Sequence, residues 1–496
     1  MLIPAARARW FPPLLVVAVG LLRWIAGVRL GFRPFDDSFI SFRYAENLAS
    51  GLGFVYNPGE HVLGTTTPLW TMVLASMRLA HVPLETGSLV FSLGADAVTA
   101  ILLCVLVTSL GYPAKVAAAA AITFLCSFDY LSLARSGMEV SLFVGLVIAT
   151  LAALSARRAR LAGLLAGLCC LTRPEGAILA GVVVLHCWRY SNKAPKRGLS
   201  TVLIMIAVVG AWLWYAQSTF GSPVPQSVVA KAATRSDPSL AAFSWTNLAL
   251  FFLKGQYGDD IFTRTYLQLT PIMTMLALIG AFSVTAGSRA GEPAGDRVTL
   301  LLLFPVVFIG ALGLAGAFTF FPWYYGPIYP FLSILAIVGI WELVRRRGAP
   351  VAKWAVPLAT IVLVAAQVSA AILVKMPAAR SYWVEGYMKV ASVIPKQPPV
   401  TVAAFEIGTV GWVASTATIV DLVGLVTPDA VGADPIAYLQ RRQPDYLVLR
   451  TDDAEGFLER SRRGPWFANH YALVAANPDP YVPREFRTYR RVAPTQ

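Results

Sequence analysis

Two adjacent carboxylates, Asp36 and Asp37, directly follow an apolar stretch, in the segment RPFDDSFISFRYAENLASG at 33–51. Adjacent carboxylates repel one another, and the aromatic side chains of Phe35 and Phe39 next to them reduce their contact with water. Both effects raise the pKa of a carboxyl group. A carboxylate of raised pKa is suited to take a proton from a hydroxyl group as a general base. The pair is therefore the first candidate for catalysis.

A structural role for the pair is the alternative. Asp37 could cap the N-terminus of the helix SFISFRYAENLA, in which Ile40, Tyr44 and Leu48 form an apolar stripe at helical spacing. Capping is compatible with catalysis, and it leaves Asp36 unexplained. Both interpretations stay open at this point.

The composition indicates what kind of protein positions these residues. The chain has 496 residues, of which 56% are hydrophobic and 14% charged, and its mean hydropathy is +0.62. Soluble domains have about 25% charged residues, so the sequence predicts an integral membrane protein with the lipid bilayer as a partner. The net charge of +14 lies largely in short connections between apolar runs. That distribution is typical of the positive-inside rule and argues against a nucleic-acid partner.

About eleven stretches are apolar enough to be transmembrane helices, which need about 20 residues. These candidate spans are 11–30, 88–110, 113–128, 138–155, 160–172, 174–189, 199–219, 265–286, 299–318, 326–344 and 353–374. The apolar stretch 68–80 is short and contains Arg78, so we expect it to lie at the membrane interface. Counting it as a span would invert the later loops and remove the Lys/Arg asymmetry.

This topology puts the first loop, 31–87, and the long loop 220–264 on the outer side, together with everything after about 376. The last part has short β-branched runs interrupted by Gly and Pro, which predicts a small α/β domain. We therefore expect a transmembrane domain at 1–375 and a soluble extracytoplasmic α/β domain at 376–496.

The first outer loop continues as GLGFVYNPGEHVLGTTTPLW. Asn57 begins an Asn-Pro-Gly turn, His61 follows it, and Thr65, Thr66 and Thr67 form a hydroxyl-rich stretch before a short helix. Such a loop could hold a sugar through hydrogen bonds. By local physics alone, a turn between two interfacial helices explains it better.

The stretch DDSFISFRYAENLASGLGFVYNPGEHVLGTTTPLW resembles the first outer loop of polyprenyl-phosphate-dependent glycosyltransferases of the GT-C fold. The nearest named type is the mycobacterial terminal arabinofuranosyltransferase with its bacterial relatives. The resemblance implies a catalytic acidic pair, Asp36 and Asp37, and substrate contacts from the helix with Arg43 and Tyr44 and from the loop after it. Many relatives have Glu-Gly-Tyr-Thr where this chain has Leu-Gly-Thr-Thr at 63–66, so the sugar does not carry over.

Three further stretches common in this superfamily fall at predicted outer ends of spans. They contain Glu139 in ARSGMEVSLF, Arg173 and Glu175 in LTRPEGAIL, and Trp323, Tyr324 and Tyr325 in FPWYYGPIYP. The two acidic stretches are equally well explained as helix starts. The aromatic residues fit an interfacial belt somewhat better than a sugar platform.

A lipid-phosphate donor requires cations at the membrane surface. Lys231 and Arg235, four residues apart in the long outer loop, are candidates alongside Arg173, although a solvated helix face explains them as well. Some relatives are thought to use a divalent cation, Mg²⁺ or Mn²⁺, and only the acidic pair hints at one here.

The sequence thus predicts an inverting glycosyltransferase of a bacterial inner membrane, with its active site on the outer side. It would transfer a sugar, of which arabinofuranose is one candidate, from a polyprenyl phosphate to a glycan or lipid acceptor of the cell envelope. A transporter or flippase of lipid-linked sugars is the alternative, but it would need paired charges or broken helices near the middle of the membrane, together with internal repeats. An inactive relative that serves in envelope assembly is the third hypothesis.

Overall fold

The computed structural model describes the greater part of the chain. The described residues are 18–22, 25, 28, 33–189, 195–234, 238–254, 269–288, 297–317, 321–345, 349–373, 377–451, 465–480 and 484–492. Every structural statement below concerns these residues.

Helices make up most of the first 375 residues. In chain order they are α1 Asp36–Ala49, α2 Pro68–Leu79, α3 Leu84–Ser109, α4 Ala114–Leu125, α5 Phe128–Ala134, α6 Val140–Ser155, α7 Ala159–Thr172, α8 Gly176–Arg189, α9 Pro195–Phe220, α10 Gln226–Thr234, α11 Pro238–Lys254, α12 Leu269–Ser288, α13 Phe304–Leu314, α14 Ile328–Arg345 and α15 Ala349–Leu373. A π-helical turn at Thr299–Leu303 precedes α13, and a 3₁₀ turn at Pro322–Tyr325 precedes α14.

Several of these helices have the length and composition of membrane spans. In the described part of the chain, Leu84–Ser109, Gly198–Phe220 and Pro322–Arg345 qualify, and α4 with α5, bent by 63°, would make a fourth. Each predicted span from 88–110 onward overlaps a helix, while 11–30 lies mostly outside the described residues. The predicted number of eleven crossings therefore stays a prediction.

Two predicted loops contain helical structure. The interfacial stretch 68–80 is the 12-residue helix α2, with Pro68 in its first turn and Arg78 paired with Glu46 of α1 at 2.5 Å. The long outer loop contains α10 and α11, and α11 adds Leu248 and Phe251 to the main apolar core.

The C-terminal segment, 377–492, combines helices with a five-stranded sheet. Its elements are α16 Pro377–Ala391, β1 Thr401–Ala404, α17 Ile407–Val413, β2 Thr418–Asp421, α18 Pro435–Arg442, β3 Tyr446–Arg450, α19 Pro465–His470, β4 Tyr471–Pro478 and β5 Glu485–Arg491. The strand order is β2-β1-β3-β5-β4, with β1 parallel to both neighbours and β5 antiparallel to both of its own. The predicted α/β composition of this segment is thus present.

Apolar packing crosses the predicted boundary at 375/376. One buried cluster combines Tyr44 and Tyr56 of the first outer loop with Val402 and Val410 of the C-terminal segment. A second cluster joins the buried face of α1 and α2 to Val384 and contacts Trp412. Burial of aromatic and branched side chains stabilises by about 1.5–3 kcal/mol each, so α1 and the C-terminal segment pack as one body.

The capping role considered for Asp37 is wrong. Helix α1 begins at Asp36 after Phe35, whose side chain makes no capping hydrogen bond, so both aspartates lie in the first helical turn. Their charges are favourable there because the helix dipole is positive at its N-terminus.

Candidate active site

Asp36 is held by backbone groups of the C-terminal segment. The N–H groups of Gly408 and Thr409 donate hydrogen bonds to its two carboxylate oxygens, at 3.0 and 2.7 Å. Burial raises the pKa of Asp36 to about 6, with the charge of Asp37 adding to the rise and these hydrogen bonds opposing it. A carboxylate with this pKa is ionised at neutral pH and remains a competent base.

Two cations act electrostatically on Asp37. Burial raises its pKa, and the positive charges of Lys231 and Arg173 oppose that rise. The structure therefore brings together four of the predicted site residues from α1, α10 and the turn between α7 and α8. A carboxylate within the electrostatic reach of two cations can provide both a proton acceptor and charge compensation for a phosphate.

Glu406, which was not among the residues predicted from the sequence, lies next to the aspartate pair. Its carboxylate lies with those of Asp36 and Asp37 so that one oxygen of each is within 4.8 Å of the others. It follows strand β1, which is parallel to both neighbours, and the carboxyl ends of parallel strands are common functional positions. The run TVAAFEIG carried that signal, but nothing in it indicated contact with residues 370 positions earlier.

The three carboxylates fit a divalent cation in their chemistry. Three points no more than 4.8 Å apart have a common centre at most about 2.8 Å from each. If each oxygen moved less than about 1 Å toward this centre, it would reach the distance at which oxygen ligands bind Mg²⁺ or Ca²⁺. Both ions prefer oxygen ligands such as carboxylates. The described residues thus include a cluster that could bind a cation.

Arg173 forms the centre of a buried ionic cluster. It donates to Glu139 at 2.6 Å and to Glu175 at 3.2 Å, and its own side chain is only 8% exposed. Its guanidinium also lies over the rings of Tyr324 and Phe143, at 4.9 and 5.8 Å from the centroids. Arg173 thus shares its charge with two carboxylates, while its ring contacts fix its plane.

One residue of the predicted aromatic cluster, Tyr324, and the neighbouring Phe321 lie against the two cations. Besides the contact of Tyr324 with Arg173, the ammonium group of Lys231 lies 4.8 Å from the centroid of the Phe321 ring, which packs against Trp323. Tyr325 is buried and stacks on Phe251 at 4.3 Å. Tyr324 and Phe321 thus hold the guanidinium of Arg173 and the ammonium group of Lys231, whose charges act on Asp37.

The polar residues of the first outer loop are directed at the C-terminal segment. Arg43, 3% exposed, donates to the carbonyl oxygens of Gly411 and Ala417 at the end of α17 and beyond it. Asn57 exchanges two hydrogen bonds with the backbone of Ile419, at 2.8 and 2.9 Å. These side chains anchor the segment instead of pointing toward Asp36.

The remaining predicted residues are more scattered. Tyr44 hydrogen-bonds within its own loop, to Val62 and Gly64. The hydroxyls of Thr65 and Thr67 lie 3.0 Å apart. Thr66 is partly buried and His61 is exposed, and Arg235 lies outside the described residues.

Comparison with known proteins relates the fold to solved structures. The model of a family described as "Domain of unknown function (DUF8728)" matches residues 378–493, and no curated protein sequence matches the chain. The crystal structure of ArnT from Cupriavidus metallidurans bound to undecaprenyl phosphate has a TM-score of 0.58 at 14% identity, covering 96% of this chain and 97% of that one. The apo form of the same protein gives a TM-score of 0.56.

The arabinofuranosyltransferase AftD from Mycobacteria has a TM-score of 0.51 at 16% identity. That match covers 97% of this chain but only 40% of the longer AftD chain. At these identities the likenesses concern the fold, and the GT-C fold expected from the first outer loop is confirmed. The chain is an apolar, mainly helical membrane protein with the GT-C fold of ArnT and AftD.

Proposed function

We propose that this protein is an inverting membrane glycosyltransferase that uses a polyprenyl-phosphate sugar as donor. The observation that carries the proposal is the buried aspartate pair, in which Asp36 accepts hydrogen bonds from the Gly408 and Thr409 N–H groups and the positive charges of Lys231 and Arg173 act on Asp37. A base and phosphate-compensating cations are the two requirements of this reaction.

The reaction needs one proton transfer and one displacement. A carboxylate of the pair, with Asp36 preferred over Asp37, takes the proton of the acceptor hydroxyl. The hydroxyl oxygen forms a bond to the anomeric carbon while the bond from that carbon to the phosphate oxygen breaks. The lipid phosphate leaves with the electron pair, and the anomeric configuration inverts.

The lipid phosphate would lie against Lys231. Arg173 is less available as a phosphate ligand because its charge is shared with Glu139 and Glu175. The structural likeness to ArnT, solved with undecaprenyl phosphate, supports a polyprenyl-phosphate donor. An acceptor in the cell-envelope glycan or lipid, an arabinofuranosyl or other sugar, and an outward-facing site in the inner membrane complete the proposal.

A divalent cation, Mg²⁺ or Mn²⁺, is part of the proposal. Asp36, Asp37 and Glu406 would hold it, and it would neutralise part of their mutual repulsion and orient the oxygens of a bound substrate. We expect chelation to lower the turnover of the purified enzyme and added Mg²⁺ or Mn²⁺ to restore it. Turnover that is unaffected by exhaustive chelation would contradict the cation.

The decisive test is transfer by the purified full-length protein, with a panel of polyprenyl-phosphate sugars and glycan or lipid acceptors. We expect product from wild type with at least one donor, and a loss of about a hundredfold or more in Asp36→Asn. Asp434→Asn is the matched control, because Asp434 caps α18 and asparagine caps equally well. Absence of transfer by wild type with every donor would contradict the function and favour transport.

A further inference from the structure

The backbone contact of Asp36 with the C-terminal segment has a consequence for catalysis. The N–H groups of Gly408 and Thr409 belong to the first turn of α17, where backbone donors have no partner within the helix. Both carboxylate oxygens of Asp36 are engaged, one by each N–H group. The plane of the carboxylate is thereby fixed by a part of the chain more than 370 residues away.

The backbones of α1 and α17 are in close contact at Asp36 and Gly408. A Cβ atom at Gly408 would fall well inside 3.0 Å of the carbonyl oxygen and carbonyl carbon of Asp36. Such contacts with backbone cannot be relieved by turning a side chain. A glycine at 408 is therefore required for the N-terminus of α17 to reach Asp36.

Further contacts hold α17 in this place along its whole length. The hydroxyl of Tyr56 donates to the carbonyl of Ile407 at 2.7 Å, at the start of the helix. The guanidinium of Arg43 donates to the carbonyls of Gly411 and Ala417 at the other end. The ring of Trp412 packs on Phe42 of α1, with centroids 5.8 Å apart.

We propose that the C-terminal segment is a positioning part of the catalytic centre, in which the Gly408 and Thr409 amides orient Asp36. This inference rests on the proposed glycosyl transfer. A base acts efficiently only when its oxygen is held at a set distance and angle from the hydroxyl, and a misplacement of about 1 Å costs up to about a hundredfold in rate. The two amides thus act through Asp36 and require no contact of their own with the donor.

The alternative is that the segment only stabilises the fold. The two roles differ in kinetics, since a misoriented base lowers kcat while the binding of the donor at Lys231 is unchanged. A loss of fold instead lowers the amount of active protein and the melting temperature together. Measurement of kcat, donor KM and melting temperature in the same preparation separates them.

The principal variant is Gly408→Ala, with Gly210→Ala as the matched control, because a Cβ atom at Gly210 has no atom of the described residues within 4 Å. We expect a fall in kcat of about a hundredfold in Gly408→Ala with donor KM within about twofold of wild type. Gly210→Ala should retain wild-type kcat. Wild-type kcat in folded Gly408→Ala would overturn the inference.

A milder second variant, Tyr56→Phe, keeps the ring and removes one hydrogen bond to α17. We expect about a fivefold loss of kcat, which corresponds to one hydrogen bond of about 1 kcal/mol. Tyr382→Phe removes a comparable hydroxyl bond, to Pro478 at 3.0 Å on the exposed surface, and should leave kcat unchanged. Equal kcat in wild type and Tyr56→Phe would contradict the positioning role, whereas failure of wild type to transfer sugar would contradict the function itself.

Discussion

Arg173 donates a hydrogen bond from Nη1 to Oε1 of Glu139 at 2.6 Å, although α6 and α7 lie between them in the chain. The same guanidinium donates to Glu175, and the three side chains are at most 11% exposed. Charges buried to this extent are tolerated only when they are paired and hydrogen-bonded. The single cation therefore compensates two carboxylates.

This arrangement predicts a ranking of two variants. Arg173→Gln leaves two carboxylates without their common partner and should lower the free energy of unfolding by about 3–5 kcal/mol. Glu139→Gln should cost less, because the amide oxygen still accepts a hydrogen bond and the Arg173–Glu175 pair remains. Glu342→Gln, which breaks the more exposed pair with Arg345, should cost less than about 1 kcal/mol. Thermal unfolding in one detergent compares all three, and a larger loss in Glu139→Gln than in Arg173→Gln would refute the ranking.

The Glu139–Arg173 pair illustrates how far the sequence could predict the site. Spacing and topology put Arg173 and Glu139 at outer helix ends, but neither reveals a contact between residues 34 positions apart. The same holds for Asp36, whose partners come from α17. Local patterns predict helices and charged positions, whereas tertiary contacts depend on how α1 packs against a distant segment. Glu406 was missed for this reason, because its only local signal is the end of a parallel strand.

The pH dependence of transfer should report the state of Asp36. Burial raises its pKa from an ordinary value of 3.8 to about 6. A base acts only in its ionised form, so the residual kcat/KM of the metal-depleted enzyme should be constant above about pH 7 and fall about tenfold per pH unit below about pH 6. A pH series of initial rates measures the midpoint, and a bound cation should move it to lower pH. A midpoint near pH 4 in the metal-depleted enzyme would show that Asp36 is not the essential base.

Asp37→Asn tests the electrostatic part of that shift. The charge of Asp37 contributes to the raised pKa of Asp36, so its removal should move the midpoint of kcat/KM to lower pH. Asp434→Asn, at the N-terminus of α18 and without a contribution to the pKa of Asp36, should leave the midpoint where it is in wild type. An upward shift in Asp37→Asn would contradict this interaction.

Lys231 should affect the donor more than the acceptor. Its charge acts on Asp37 and its ammonium group lies over Phe321. In Lys231→Met, we expect donor KM to rise about tenfold, because a charge-assisted contact with phosphate of about 1.5 kcal/mol is lost, with acceptor KM unchanged. Lys389→Met is the matched control, since Lys389 also lies over an aromatic ring, that of Tyr382, and is exposed. Equal donor KM in wild type and Lys231→Met would remove Lys231 from the phosphate site.

Asn57 should be essential for attachment of the C-terminal segment. Its amide donates to the carbonyl oxygen of Ile419 and accepts from the N–H of the same residue, and its side chain is buried. Asn57→Asp keeps the shape but replaces the donor by a second acceptor, which then faces the carbonyl oxygen of Ile419 and the carboxylate of Glu60. An unsatisfied buried acceptor costs about 1–3 kcal/mol, and more for a charged group.

We therefore expect Asn57→Asp to lower the melting temperature and to increase cleavage of the C-terminal segment in limited proteolysis. Asn477→Asp is the matched control, because within the described part of the chain the amide of Asn477 makes an exposed contact of 3.4 Å with the carbonyl oxygen of Pro478. The variant should also lose kcat, since a loosened segment no longer fixes the Gly408 and Thr409 amides on Asp36. Wild-type stability and wild-type protection in Asn57→Asp would mean that the amide exchange with Ile419 contributes nothing to docking, and that Arg43 and the shared apolar cluster suffice to hold α17 against α1.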